Sequence, residues 1–174
     1  MWKYAVGAVF SISVLAGAQQ PKPASTLRSV LLQELRETHN QKNWFVSEKE
    51  AVEGLTPEQA AWSDGKNHSV GQLVQHLNYW NASNLARLKH QPARQVPNND
   101  DTFTFDRKQW QPALKEFDRT MGDWEQFVQS LDEASLQTMA PTIARIAQHN
   151  AYHIGEMITS RKRQGSWNPE LGVK

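Results

Sequence analysis

One stretch of the chain, residues 143–158, combines an apolar helical pattern with two histidines and reads IARIAQHNAYHIGEMI. Its apolar residues and one asparagine recur every three or four positions, which predicts a helix. His149 and His153 are four residues apart, so their Cβ atoms are expected roughly 5–6 Å apart on one helix face. Glu156 falls on the same stripe. Two imidazoles and a carboxylate beside an apolar face indicate a candidate metal site.

This pattern differs from the zinc-protease motif, which places a glutamate directly after the first histidine as general base. Asn150 occupies that position here. A histidine pair at this spacing also occurs by chance. The metal-site hypothesis therefore needs a third ligand from another part of the chain.

The first 18 residues have the three regions of a secretory signal peptide. A basic start with Lys3 precedes a mostly apolar run and Ala16-Gly17-Ala18, a small-x-small cleavage pattern. We expect residues 1–18 to be removed, residues 19–24 to form a short linker and residues 25–174 to form one domain. The protein is accordingly predicted to be exported, to the periplasm or the extracellular space, without a membrane anchor after cleavage.

The composition restricts the classes of partner. The formal net charge is +1, and removal of Lys3 would bring it to 0, which argues against nucleic acid as a partner. The chain has no cysteine, so it offers neither a disulfide nor a thiolate as nucleophile or metal ligand. A small-molecule substrate is the expected partner, and a homodimer is compatible with the sequence.

Four helical stretches and no sheet are predicted. The first runs from about Ser25 to Glu53 with Ser25 as N-cap, and the second runs from Ser69 to Leu88 behind a capping box. The third, from near Gln111 to Leu131, has apolar residues at alternating spacings of four and three, typical of a bundle seam. The fourth is predicted to open at Pro141 and to end at Gly165.

Two segments leave their roles open. Thr38 and Gln41 continue the apolar stripe of the first stretch, so either they line a wet pocket or the helix bends near Asn40 and they face solvent. The polar connection from Gln91 to Thr104 is long for a helix connection. It fits a crossover and could cover an active-site mouth. The remaining histidines match no partner spacing and are predicted to lie at the surface: His39, His68 and His90.

Two of these stretches resemble the DinB-like superfamily. Residues 69–77, reading SVGQLVQHL and preceded by Trp62, are similar to its second-helix motif. Residues 146–156, reading IAQHNAYHIGE, are similar to its fourth-helix motif, and the basic tail with Gly165 is in keeping. The resemblance covers nearly the whole chain after the signal peptide.

The resemblance implies an all-α four-helix bundle with a long crossover connection. It also implies a divalent metal bound by three residues of this chain: His76, His149 and His153. Three neutral imidazoles with an open fourth position suit zinc, and imidazoles also suit nickel, iron or copper. We expect zinc or nickel first.

Glu156 stands where the family usually has glutamine. It could join the metal, orient His153 or act as acid/base. The expected function is that of a metal-dependent hydrolase or a thiol-dependent transferase acting on a small molecule. The alternatives are a non-enzymatic metal-binding or stress-related bundle protein, and a bundle whose histidines only form hydrogen bonds.

Overall fold

The computed structural model describes residues 25–173, and the predicted signal peptide and linker lie outside them. This part of the chain is helical, with no β-strand, as the sequence predicts. The α-helices are α1 (Leu27–His39), α2 (Glu48–Val52), α3 (Pro57–Ala60), α4 (Val70–Leu88), α5 (Trp110–Ser130) and α6 (Glu133–Gln164). Short 3-10 helices span Asn99–Phe103, Arg107–Gln109 and Pro169–Leu171. None of the helices described is both long and apolar enough to cross a membrane.

The four longer helices form a bundle in which α1 and α4 each pack against both α5 and α6. The apolar seam of α5 is the centre of the core. Phe117, Met121, Trp124 and Val128 are fully buried there, which confirms the predicted seam. The packing of α4 against α6 positions the candidate site, because it joins the two helices that carry the candidate ligands.

The first predicted stretch is interrupted. α1 begins after Thr26, whose hydroxyl accepts a hydrogen bond from the backbone of Ser29, and it ends at His39. The helix therefore stops near Asn40 rather than running to Glu53. Thr38 is nevertheless buried, and its hydroxyl is satisfied there because it donates to the carbonyl of Leu35 within the same helix. Thr38 therefore does not face solvent, whereas Gln41, which follows the end of the helix, is exposed.

α4 begins where its capping box predicts. The Ser69 hydroxyl accepts from the backbone of Gln72, and the Gln72 side chain accepts from the backbone of Ser69. Gly71 lies in this first turn against the ring of Phe105, where an added Cβ would come within 2.4 Å of the ring. A glycine is required there, because it lets the end of the long connection approach the helix.

The fourth helix is longer than its sequence suggests. It begins at Glu133, capped by Asp132, and Pro141 lies inside it. The prediction that Pro141 opens the helix is therefore wrong. A proline removes one backbone donor, and here the turns before it are held by the cap and by the fully buried Leu136. Gly165 ends the helix in the left-handed conformation, with φ 78°, as predicted.

Candidate metal centre

Three histidines from two helices converge at one point. His76 lies on α4, and His149 and His153 lie one turn apart on α6. Their Nε2 atoms approach closely: His149 Nε2 lies 3.2 Å from that of His76 and 3.0 Å from that of His153. One ring nitrogen from each residue falls within 4.8 Å of the other two. The structure thus brings together all three histidines that the sequence selects.

The geometry fits a shared ion. Two nitrogens that bind one zinc ion at about 2.0–2.1 Å in a tetrahedral site lie roughly 3.3 Å apart. The two Nε2 separations at His149 are close to that value. Three ring nitrogens facing each other, without an oxygen donor among them, form the kind of donor set that imidazole-binding divalent metals take.

The outer nitrogen of His76 is held by the connection between α4 and α5. Thr102 Oγ1 lies 2.6 Å from His76 Nδ1 and donates its single proton to the carbonyl of Asn99, also at 2.6 Å. Toward His76 the hydroxyl can therefore only accept. His76 must carry its proton on Nδ1, which leaves the Nε2 lone pair free to bind a metal.

The outer nitrogen of His153 is held by Glu156. Glu156 Oε2 lies 2.6 Å from His153 Nδ1, and a carboxylate accepts from a ring N–H. This is the carboxylate–histidine arrangement that orients metal ligands and raises their basicity. Of the roles open to Glu156, the geometry shows the contact to His153. Among residues 25–173, the cluster of converging ligand atoms consists of the three histidines.

Burial and the neighbouring histidines keep His76 and His149 neutral. The pKa of His76 is lowered to about 3, first by burial and then by the three histidines around it. The pKa of His149 is lowered to about 4, first by burial and then by His153. Neutral imidazoles are the metal-binding form, so these two rings are ready to bind at neutral pH.

An aromatic wall closes one side of the cluster. Phe103 stacks on His76 with ring centroids 4.0 Å apart, and His68 stacks on Phe103 at 3.8 Å. His76 and His153 are buried, whereas His149 is partly exposed. The long connection therefore covers the His76 side, and His149 marks the side from which a ligand can reach the cluster.

Sequence reasoning missed the residues that support the cluster. Thr102 and Phe103 belong to the long connection, where no periodicity identifies a partner. The prediction of a surface position is wrong for His39, which is buried between Asp118 and Glu125 at 2.9 and 3.1 Å. His68 and His90 are exposed as predicted, although His68 also contacts Phe103.

A comparison with protein families supports the same interpretation. The sequence model of the DinB superfamily matches residues 49–157, a segment that includes all three histidines and the long connection. Comparisons with curated proteins and with solved structures find no match. DinB superfamily proteins bind metal, and the three histidines lie close enough to do so here. The chain belongs to the DinB superfamily.

Proposed function

We propose that the protein is an exported metal-dependent enzyme that acts on a small molecule, either as a hydrolase or as a thiol-dependent transferase. The observation that carries this proposal is the convergence of three Nε2 atoms, with the outer nitrogens of His76 and His153 held by Thr102 and Glu156. Both supports accept from the Nδ1–H group of their histidine, so the Nε2 lone pairs of His76 and His153 face the cluster, as metal binding requires.

Each residue of the candidate site has its own proposed role. His76, His149 and His153 would hold the ion, which we expect to be zinc or nickel, with iron or copper also suited to imidazole ligands. A divalent ion there supplies Lewis acidity toward a small electrophile. Glu156 orients His153, and as a half-buried carboxylate beside the cluster it can also accept or return a proton.

Elemental analysis tests the metal site. The protein, purified without a histidine tag, should contain about one divalent ion per chain. The single variants His76→Ala, His149→Ala and His153→Ala should hold far less. His90→Ala is the matched control, because His90 is exposed and takes no part in the cluster. Equal metal content in all four variants and the wild type would refute the site.

The chief alternative is a non-enzymatic metal-binding or stress-related bundle protein. It is favoured if the metal-loaded protein accelerates no reaction beyond free metal across a panel of thiols, esters and epoxides. A cluster that serves only hydrogen bonding is the remaining alternative, in which His149 Nε2 donates its one proton to the Nε2 atom of one of its two neighbours. Metal-free protein of undiminished stability, with no uptake of zinc or nickel, would support that alternative.

The proposal that the protein is exported is tested separately from the metal site. The proposal rests on Lys3, the apolar run after it and the Ala16-Gly17-Ala18 pattern. N-terminal sequencing of the protein recovered outside the cytoplasm should find a chain that begins at or near Gln19. Recovery of the chain from the cytoplasmic fraction with Met1 intact would contradict export.

A further inference from the structure

The partly exposed side of the histidine cluster opens into a cleft between α4 and α6. Its volume is about 350 Å³. The lining residues are Trp80, Asn84, Thr142, Arg145, Ile146 and His149. His149 is a member of both the cluster and the cleft wall, so a molecule in this cleft lies directly beside the candidate metal centre.

Arg145 is the cation of this cleft. It lies one helical turn before His149 on α6, and its side chain is exposed. It makes no hydrogen bond or ion pair with any residue between 25 and 173. Within the same range every other arginine except Arg107 has a partner. A guanidinium without a partner, next to a half-open site, is available for a ligand.

The rest of the wall has an apolar side and few free polar groups. Trp80 and Ile146 provide apolar surface. Asn84 is engaged internally, because its amide donates to the carbonyl of Trp80 at 2.8 Å. Arg145 is therefore the group in this cleft best able to select a ligand by charge.

We infer that the cleft binds the substrate, and that the substrate carries a single carboxylate, which pairs with Arg145 while an apolar portion lies along Trp80 and Ile146. The planar guanidinium matches a carboxylate in a two-point hydrogen bond. Arg145 is the one arginine that lines this cleft, and its guanidinium can pair with one carboxylate. The inference rests on the proposed function only in placing the reacting atom of the substrate beside His149.

A second cleft near the cluster is less suited to this role. It has a volume of about 360 Å³ and includes Glu156 and Tyr152, but none of the three histidines lines it. Its arginine, Arg163, is already paired with Asp64 at 2.5 Å. An anion at Arg163 would have to displace this ion pair, and an anion at Lys66, which also lines this cleft, would not face the cluster.

The test compares an acid with its neutral isostere. 3-Phenylpropionate and 3-phenylpropionamide are titrated separately into metal-free and zinc-loaded protein, and binding is followed by nuclear magnetic resonance at the Trp80 indole and the Ile146 methyl groups. The acid should bind at least about tenfold more tightly than the amide in both forms, because it gains a charge-assisted hydrogen-bond pair. Arg145→Gln should remove this preference, and Arg145→Lys should retain part of it.

Arg107→Gln is the matched control, because it removes the same charge from another exposed arginine that has no partner among the residues described. It should behave like the wild type. Equal binding of acid and amide, a preference that survives Arg145→Gln, or no binding of either probe would overturn the inference. Metal content is measured in parallel. A protein that discriminates without retaining metal refutes the metal function alone, and a protein that retains metal without discriminating refutes the carboxylate site alone.

Discussion

At the scale of single residues, two oxygen atoms from different parts of the chain prepare the histidine cluster. The Thr102 hydroxyl can only accept from His76, because its own proton goes to the Asn99 carbonyl. The Glu156 carboxylate accepts from His153. Both contacts fix which ring nitrogen carries the proton, and this determines whether Nε2 can bind an ion.

Thr102→Val should weaken metal binding by about 10- to 100-fold, the usual cost of losing a partner behind a metal ligand. Valine keeps the shape of threonine but cannot accept a hydrogen bond from the Nδ1–H group of His76. Thr102→Ser, which retains the hydroxyl, should remain close to the wild type. Both affinities are measured by competition with a chelator of known strength. A valine variant that binds as tightly as the serine variant would show that the hydroxyl does not position His76.

Glu156→Gln should leave the metal bound and should change the pH dependence or the rate of any activity. The amide oxygen of glutamine can still accept from His153 Nδ1, but it has neither the charge nor the basicity of a carboxylate. Metal content and a pH–rate profile are measured on the same preparation. Loss of the metal would make Glu156 a direct ligand, and unchanged metal content, rate and profile would remove it from the site.

Helical spacing in the sequence pairs His149 with His153, whereas His76 is assigned to the same candidate site by the resemblance to the DinB-like motifs. His149 and His153 are one turn apart, and the capping box fixes the register of His76 on α4. Thr102 reaches His76 from an irregular connection, so no spacing in the sequence relates the two. The predicted surface position of His39 is wrong because no spacing in the sequence relates it to the carboxylates of Asp118 and Glu125, which lie on α5.

At the scale of helices, α5 shows how an apolar repeat determines packing. Trp110 and Trp124 are buried without loss of hydrogen bonds, because their indole N–H groups donate to the carbonyls of Leu55 and Asn81 at 3.0 Å each. The repeat predicts which face is buried. The apolar repeat does not reveal where α6 begins. Proline prefers the first turn of a helix, so Pro141 suggests a start there, but the cap at Asp132 and the packing of Leu136 stabilise the turns that precede it.

Phe117→Ala should lower the free energy of unfolding by about 3–5 kcal/mol, because Phe117 is fully buried in the α5 seam. Leu114→Ala should cost less, since Leu114 is only partly buried at the edge of the same core. Urea denaturation, followed by circular dichroism, measures the free energy of unfolding of both variants. A Phe117 variant within about 0.5 kcal/mol of the wild type, the range of surface substitutions, would mean that the helix faces the other way.

At the scale of the whole molecule, buried ionisable groups link stability to pH. Glu48 on α2 is buried, and its Oε1 has no hydrogen-bond partner in the described part of the chain. The pKa of Glu48 is raised to about 8, first by burial and then by the charge of Asp118. The two histidines with lowered pKa values act in the opposite direction, because they must stay neutral in the fold. Stability should therefore rise with pH where the histidines dominate and fall where Glu48 dominates.

Glu48→Gln separates these two effects. The folded-state pKa of Glu48 lies above its ordinary value of 4.5, so its stabilising contribution is complete below pH 4.5 and is lost as the pH rises toward about 8. Each pKa unit corresponds to about 1.4 kcal/mol. Glutamine is neutral throughout, and the histidine contributions cancel when the variant is compared with the wild type at each pH. The variant should gain stability relative to the wild type from pH 5 to about pH 8, by a few kcal/mol in all, and the difference should then level off; urea denaturation at a series of pH values measures it. A difference that stays constant over this range would show that Glu48 is ionised in the folded protein and that its burial is relieved by contacts with solvent.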